Sequence, residues 1–149
     1  MTDIRRAGAG DLDMLVELHR AFCVLDGHPF DDRRAGAAFT PLLADDTHGV
    51  VWIVDAPRGY AVLTWGWSIE AGGAEAVLDE IFVTERNTGV GSLLVDHLLA
   101  DGRRRGLARI FLETPESGFH QTRAFFESRG VKLAISRNAV EAIARAAAR

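Results

Sequence analysis

The chain has 149 residues, 48% of them hydrophobic, and a formal net charge of −4. That is the size of one domain, with enough apolar material for a core and no Pro- or Ser-rich linker to divide it. The negative balance and scattered arginines argue against general nucleic-acid binding, and the single cysteine, Cys23, excludes an intrachain disulfide or a cysteine-based zinc site.

The start, Ile4–Phe22, reads as a first strand followed by a first helix, with Asp11 as the N-cap before Leu12, Leu15, Val16, Leu18 and Phe22. Cys23 falls on this helix as a small buried residue. Segment Val24–Arg34 joins it to a second helix, with Asp31 and Asp32 suited to that helix's start. Val50–Asp55 and Tyr60–Ile69 are strands joined through a turn at Pro57, Arg58 and Gly59. Val77, Leu78, Ile81, Phe82 and Val83 form a further apolar strand, broken by the carboxylate pair Asp79 and Glu80, which are out of place in a buried strand. Leu93, Leu94, Leu98 and Leu99 make a helical stripe that ends in Arg103, Arg104, Arg105 and Gly106, and His97 falls on its exposed side. Ala108–Glu113 reads as a strand, Thr122–Arg129 as a helix closing on Gly130, Val131–Ser136 as a strand and Asn138–Arg149 as a terminal helix.

Between the carboxylate-bearing strand and its helix runs Arg86-Asn87-Thr88-Gly89-Val90-Gly91. Two glycines let a ligand approach the backbone, and the helix behind them offers unpaired N–H groups and a positive dipole end, which suits a diphosphate. The chain has no Gly-Lys-Ser/Thr string for a P-loop, and Leu94 stands where a dinucleotide fingerprint needs its third glycine. The hexad instead resembles the Q/R-x-x-G-x-G/A signature of the GNAT superfamily of acyl-CoA-dependent N-acyltransferases. The order of elements along nearly the whole chain is similar too.

The resemblance implies an α/β (α+β) GNAT fold: a mixed, mostly antiparallel sheet of about six strands flanked by helices and splayed between the fourth and fifth strands. It implies transfer of acetyl from acetyl-CoA to a primary amine of a small molecule or peptide, by direct attack in a ternary complex and without a metal. Ile81, Phe82 and Val83 would bind the pantetheine arm by main chain, Arg86, Asn87, Thr88, Gly89, Val90, Gly91 and Ser92 would wrap the pyrophosphate, and the cofactor groove would pass His120 and Phe126. Glu80 or Asp79 would be the base that frees the amine's lone pair, with Glu80 favoured for its reach. Neighbouring strand residues face opposite ways and a bulge would exchange them, so one acid is expected at the site and the other against an arginine.

Two departures from the family pattern stand out. The tyrosine that often protonates the leaving thiolate is replaced by Phe126, in Phe125-Phe126-Glu127-Ser128-Arg129-Gly130-Val131, leaving Ser117, His120, water or the thiol's own acidity to serve. Arg86 also stands two residues closer to the strand than in the usual V-x-P-x-x-R spacing, with Glu85 at the proline position. Phe126 motivates an alternative, a GNAT-like domain that binds acyl-CoA as a sensor with little catalysis.

For the acceptor, the resemblance points to Asp26 and His28 in the segment between the first helices and to Trp65 and Trp67, which share a strand face. The histidines show no metal-ligand spacing. A charged start (Asp3, Arg5, Arg6) and short apolar runs suggest a cytoplasmic protein that needs no membrane, and a sheet edge left unfilled would invite a homodimer.

Overall fold

The computed structural model describes residues 3–56, 58–114 and 132–135. Strand β1 (Ile4–Arg6) leads through a single 3-10 turn into helix α1 (Leu12–Asp26), followed by α2 (Asp32–Ala44), β2 (Gly49–Asp55), β3 (Arg58–Ser68), β4 (Gly73–Val83), α3 (Val90–Arg104), β5 (Arg109–Thr114) and β6 (Lys132–Ile135). The six strands form one sheet in the order β1-β2-β3-β4-β5-β6. The first four are antiparallel, while β4–β5 and β5–β6 are parallel. The expected mixed, mostly antiparallel architecture is therefore present, and the expected helix at 122–129 and terminal helix at 138–149 lie outside the described residues.

Strand alternation divides the core between two faces. Val50, Val54, Ala61, Leu63, Ala76 and Leu78 point to one side, where Val90, Leu94, Val95 and Leu98 of α3 cover them. Val51, Ile53, Tyr60 and Val62 point to the other and meet Leu15 and Leu18 of α1 and Phe39 and Leu43 of α2. This sandwich of helices around a sheet shields its polar backbone and leaves the strand ends for function.

Two irregularities make room for a site. Leu63 pairs with Leu78 and Val62 with Glu80, so Asp79 is an extra residue, a β-bulge in β4. Strand β5 pairs with Glu75, Ala76 and Val77 of β4, and among the described residues Leu78–Val83 has no register partner on that side. That divergence is the expected splay between the fourth and fifth strands.

Several local expectations are corrected. Asp11 is the N-cap residue of α1 as expected, but its carboxylate, instead of capping the helix, turns back to accept from the Gly8 N–H at 2.8 Å and from Arg5. The stripe on α3 runs Val90, Leu94, Val95 and Leu98; Leu93, one step of about 100° away, is 45% exposed. His97 is half-buried rather than exposed, its ring 4.3 Å from that of Trp52, since this indole reaches under the helix. The basic run at the end of α3 is structural: Arg105 pairs with Asp101 at 2.7 Å and Asp46 at 3.1 Å and lies over the Trp65 ring.

Candidate active site

The bulge carries both acids to one side. On strict alternation from Ala76 and Leu78, Glu80 would face α3; the inserted Asp79 puts it opposite Val62, on the α1/α2 face. There Tyr60, fully buried on β3, donates its hydroxyl hydrogen to Glu80 Oε2 at 2.6 Å. His19 of α1 brings Nδ1 to 2.9 Å from Oε1 and 3.0 Å from Oε2. One turn on, Cys23 Sγ sits 3.4 Å from His19 Nε2. Leu15 and Leu18 anchor α1 in the core, so the next turn must lie over β4, and this places His19 and Cys23.

Asp79 lines the same groove as Glu80, which has a volume of about 330 Å³ and is also bordered by Phe22, Cys23, Asp26, His28 and His19. The expectation that one acid pairs with an arginine is overturned: Glu80 pairs with a histidine and a tyrosine, and among the described residues no arginine bonds to either acid. The reason is that the bulge turns both side chains toward α1, whose nearby turn offers His19 and Cys23.

The electrostatics suit acid–base work. Burial, then the Glu80 charge and the bond to it, push the Tyr60 phenol far above its ordinary value, so it remains a donor to Glu80. Burial raises the Cys23 thiol, with Glu80 and Asp26 adding to the effect, and keeps it protonated. Protein crowding also raises the Asp79 carboxyl, although its side chain opens onto the groove and His19 opposes the shift.

The remaining acceptor candidates divide. Asp26 and His28 reach the groove and pair with each other at 2.7 Å. Asp31 caps α2 through the Arg34 N–H at 3.0 Å. Trp65 and Trp67 lie toward the far end of β3, opposite Ala76 and Ala74. Trp65 donates its indole N–H to Asp46 O at 2.7 Å, and Trp67 is 77% exposed; neither lines the groove.

Beyond β4 the backbone turns through Asn87 (φ 60°) and Gly89 (φ 82°) into α3. The N-cap residue Gly89 has no side chain to cap α3, and a side chain at Gly91 would stand in open space. At Gly89 a left-handed backbone requires glycine. Ile81 and Val83 pack toward α3 and Phe82 toward α1. A second groove of about 540 Å³, lined by Phe82, Val83, Thr84 and Arg86 with Arg20, Val24 and Leu25 of α1, leads to this loop. Asn87, Thr88, Gly89, Val90, Gly91 and Ser92 are therefore placed together at the mouth of the splay, whereas Ser117, His120 and Phe126 lie outside the described residues.

Sequence reasoning missed His19, Tyr60 and the contact of Cys23. The spacing of His19 and Cys23, four residues apart on a helix, was the available signal, but only the fold brings β4 beneath it. Among the described residues no group of three His, Cys, Asp or Glu side chains is disposed to hold a metal, and no helix is long and apolar enough to cross a membrane.

The sequence profile of the Acetyltransferase (GNAT) family matches residues 12–131. Among solved structures, an integron cassette protein from the mobile metagenome of Cole Harbour Salt Marsh is 29% identical, with a TM-score of 0.72 over 91% of this chain and 90% of its own. A candidate acetyltransferase from Arthrobacter sp. FB24 is 25% identical, with a TM-score of 0.77 over 93% of this chain and 96% of its own. A predicted acetyltransferase from Clostridium acetobutylicum, solved with acetyl-CoA, shares the fold at 18% identity, with a TM-score of 0.74 over 95% of this chain and 98% of its own. No curated protein sequence matches the chain.

Proposed function

Since the chain belongs to the acetyltransferase (GNAT) family, we propose that it transfers acetyl from acetyl-CoA to a primary amine by direct attack within a ternary complex. The observation that carries this reading is Glu80, set by the bulge into a groove and held by Tyr60 and His19 beside the unpaired stretch of β4.

An alkylammonium has no lone pair for attack, so a proton must first leave it. The Glu80 centre takes that proton, and the acids Asp26 and Asp79 around the groove favour a cationic amine. The amine nitrogen then attacks the thioester carbonyl. A main-chain N–H of β4 stabilises the oxyanion, the nitrogen gives up its second proton to water, the C–S bond breaks, and the thiolate departs. The pantetheine runs along Ile81, Phe82 and Val83, and the pyrophosphate rests on the turn from Arg86 to Ser92 at the start of α3. Phe126 has no proton to give, so the thiolate leaves unaided or is protonated by water. An alkyl thiol with a pKa of about 8.5 permits this.

Calorimetric titration with acetyl-CoA and CoA tests the reading, on wild type and on a Gly89→Glu, Gly91→Glu variant. Micromolar binding lost in the folded variant, followed by thiol release with members of an amine library, is the expected result. Binding without thiol release for any amine would favour the sensor reading suggested by Phe126, and no binding to folded wild type would sink both.

A further inference from the structure

The interactions of the His19 ring are asymmetric. Nδ1 faces the Glu80 carboxylate at 2.9 and 3.0 Å, and Nε2 faces the Cys23 thiol at 3.4 Å. A carboxylate can only accept from Nδ1, so Nδ1 must carry the hydrogen. A protonated thiol can donate to Nε2, so the basic lone pair lies on that nitrogen, against a partner weak enough for an incoming amine to displace. Glu80 is itself fixed from behind by the Tyr60 hydroxyl at 2.6 Å. The order is base, orienting carboxylate, locking donor, which is how a histidine is prepared as a general base.

Resting on the acetyltransferase reading, we propose that the atom receiving the amine's proton is His19 Nε2, with Glu80 as its orienting carboxylate. The ammonium N–H bond breaks as the Nε2–H bond forms; Glu80 stays ionised and balances the imidazolium; the proton then leaves to water through the groove. Among the described residues, the titratable groups around the ring are Cys23 on α1 itself, Glu80 and Asp79 on β4, and Asp26 and His28, which border the same groove, with Tyr60 on β3 behind Glu80. The rings of Phe22 on α1, Phe30 ahead of α2 and Phe39 on α2 also face the imidazole, so these sides are apolar. The stack Cys23, His19 and Glu80 also has the outline of a thiol-nucleophile triad. A thiol that is 2% exposed and held protonated is a poor nucleophile, and the direct route is therefore assigned.

Two variants separate the roles. His19→Asn keeps an N–H near Nδ1 to hold Glu80 but has no base at Nε2, and Glu80→Gln removes the charge that fixes the tautomer. With acetyl-CoA and putrescine, benzylamine or glycinamide as probes, His19→Asn should lower kcat about 10²- to 10⁴-fold with little change in KM for acetyl-CoA. In ¹⁵N-histidine spectra of the unliganded wild type, His19 should be the Nδ1–H tautomer at neutral pH and lose that preference in Glu80→Gln. His19→Asn within threefold of wild type would show that the ring only positions Glu80 and overturn the proposal, as would an Nε2–H tautomer or an acetyl group found on Cys23 after incubation with acetyl-CoA alone. Failure of wild type to bind acetyl-CoA would remove the acyltransferase reading itself, and the tautomer would still be decided by the spectra.

Discussion

Replacing Tyr60 with Phe deletes one oxygen and leaves the ring. That ring packs 6.2 Å from Phe39 and 6.4 Å from Phe82, and it is fully buried, so its apolar contacts survive. What is lost is the 2.6 Å bond to Glu80 Oε2. A bond to an ionised group is worth about 1.5–3 kcal/mol, so Tyr60→Phe should cost about 2 kcal/mol at pH 7. For a chain of this size that corresponds to a fall of about 4–8 °C in Tm. The pH dependence has a definite sign. The folded-state pKa of Tyr60 is raised, so its stabilisation is complete below the unfolded value of about 10 and is lost as pH rises past it. Wild type should therefore lose its advantage over Tyr60→Phe at about 1.4 kcal/mol per pH unit, leaving about 0.6 kcal/mol at pH 11. Urea unfolding of both proteins from pH 7 to 11 reads this out. Equal stability at pH 7, or a gap that stays flat up to pH 11, would refute the buried hydroxyl–carboxylate bond.

Two further predictions concern stability. A Cβ at Gly49 would lie 2.0 Å from Leu63 O, so Gly49→Ala should cost about 3 kcal/mol or more in urea unfolding, whereas Gly36→Ala, in open space on α2, should stabilise by about 0.5–1 kcal/mol. Equal behaviour of the two alanines would contradict the β2–β3 packing. Arg5 bonds Asp11 and Asp55 at 2.8 Å each and holds both carboxyls below their usual range, so its contribution is present above about pH 4 and is lost as pH falls further. Arg5→Met should therefore trail wild type by no more than about 1 kcal/mol at pH 6, given the exposure of the pair, and the gap should close in acid denaturation curves. A gap that widened below pH 4 would have the wrong sign.

The order of strands and helices was legible because each element repeats its hydrophobic signal. The two-faced alternation of Val50–Val54 and the glycines at the start of α3 are of this kind, and they carried the architecture and the turn proposed to hold the pyrophosphate. Individual positions were less legible. Leu93 and Leu94 are equivalent by composition, and only the curvature of the helix against the sheet decides which is buried. His97 belongs to the polar face by pattern, but Trp52 extends far enough to cover it. His19 and Tyr60 are 41 residues apart, counting from 19 to 60, and they meet on Glu80 only because α1 crosses β4 where the strand bulges. Nothing local announces such a meeting. Trp65 and Trp67 drew attention as aromatic neighbours on one strand face, and the same spacing serves a cation–π contact with Arg105 and an exposed hairpin end.

The β3–β4 ladder sets the ten residues Gly59–Ser68 against the eleven residues Gly73–Val83. That mismatch of one means that the carboxylate beside Glu80 on β4 sits on a residue added through chain length. Omitting Asp79 would close the ladder with Glu80 still opposite Val62, whereas substituting it would change a side chain and leave the kink in place. Point substitution can therefore alter either carboxylate, but only insertion or deletion alters the bulge and with it the local path of the strand.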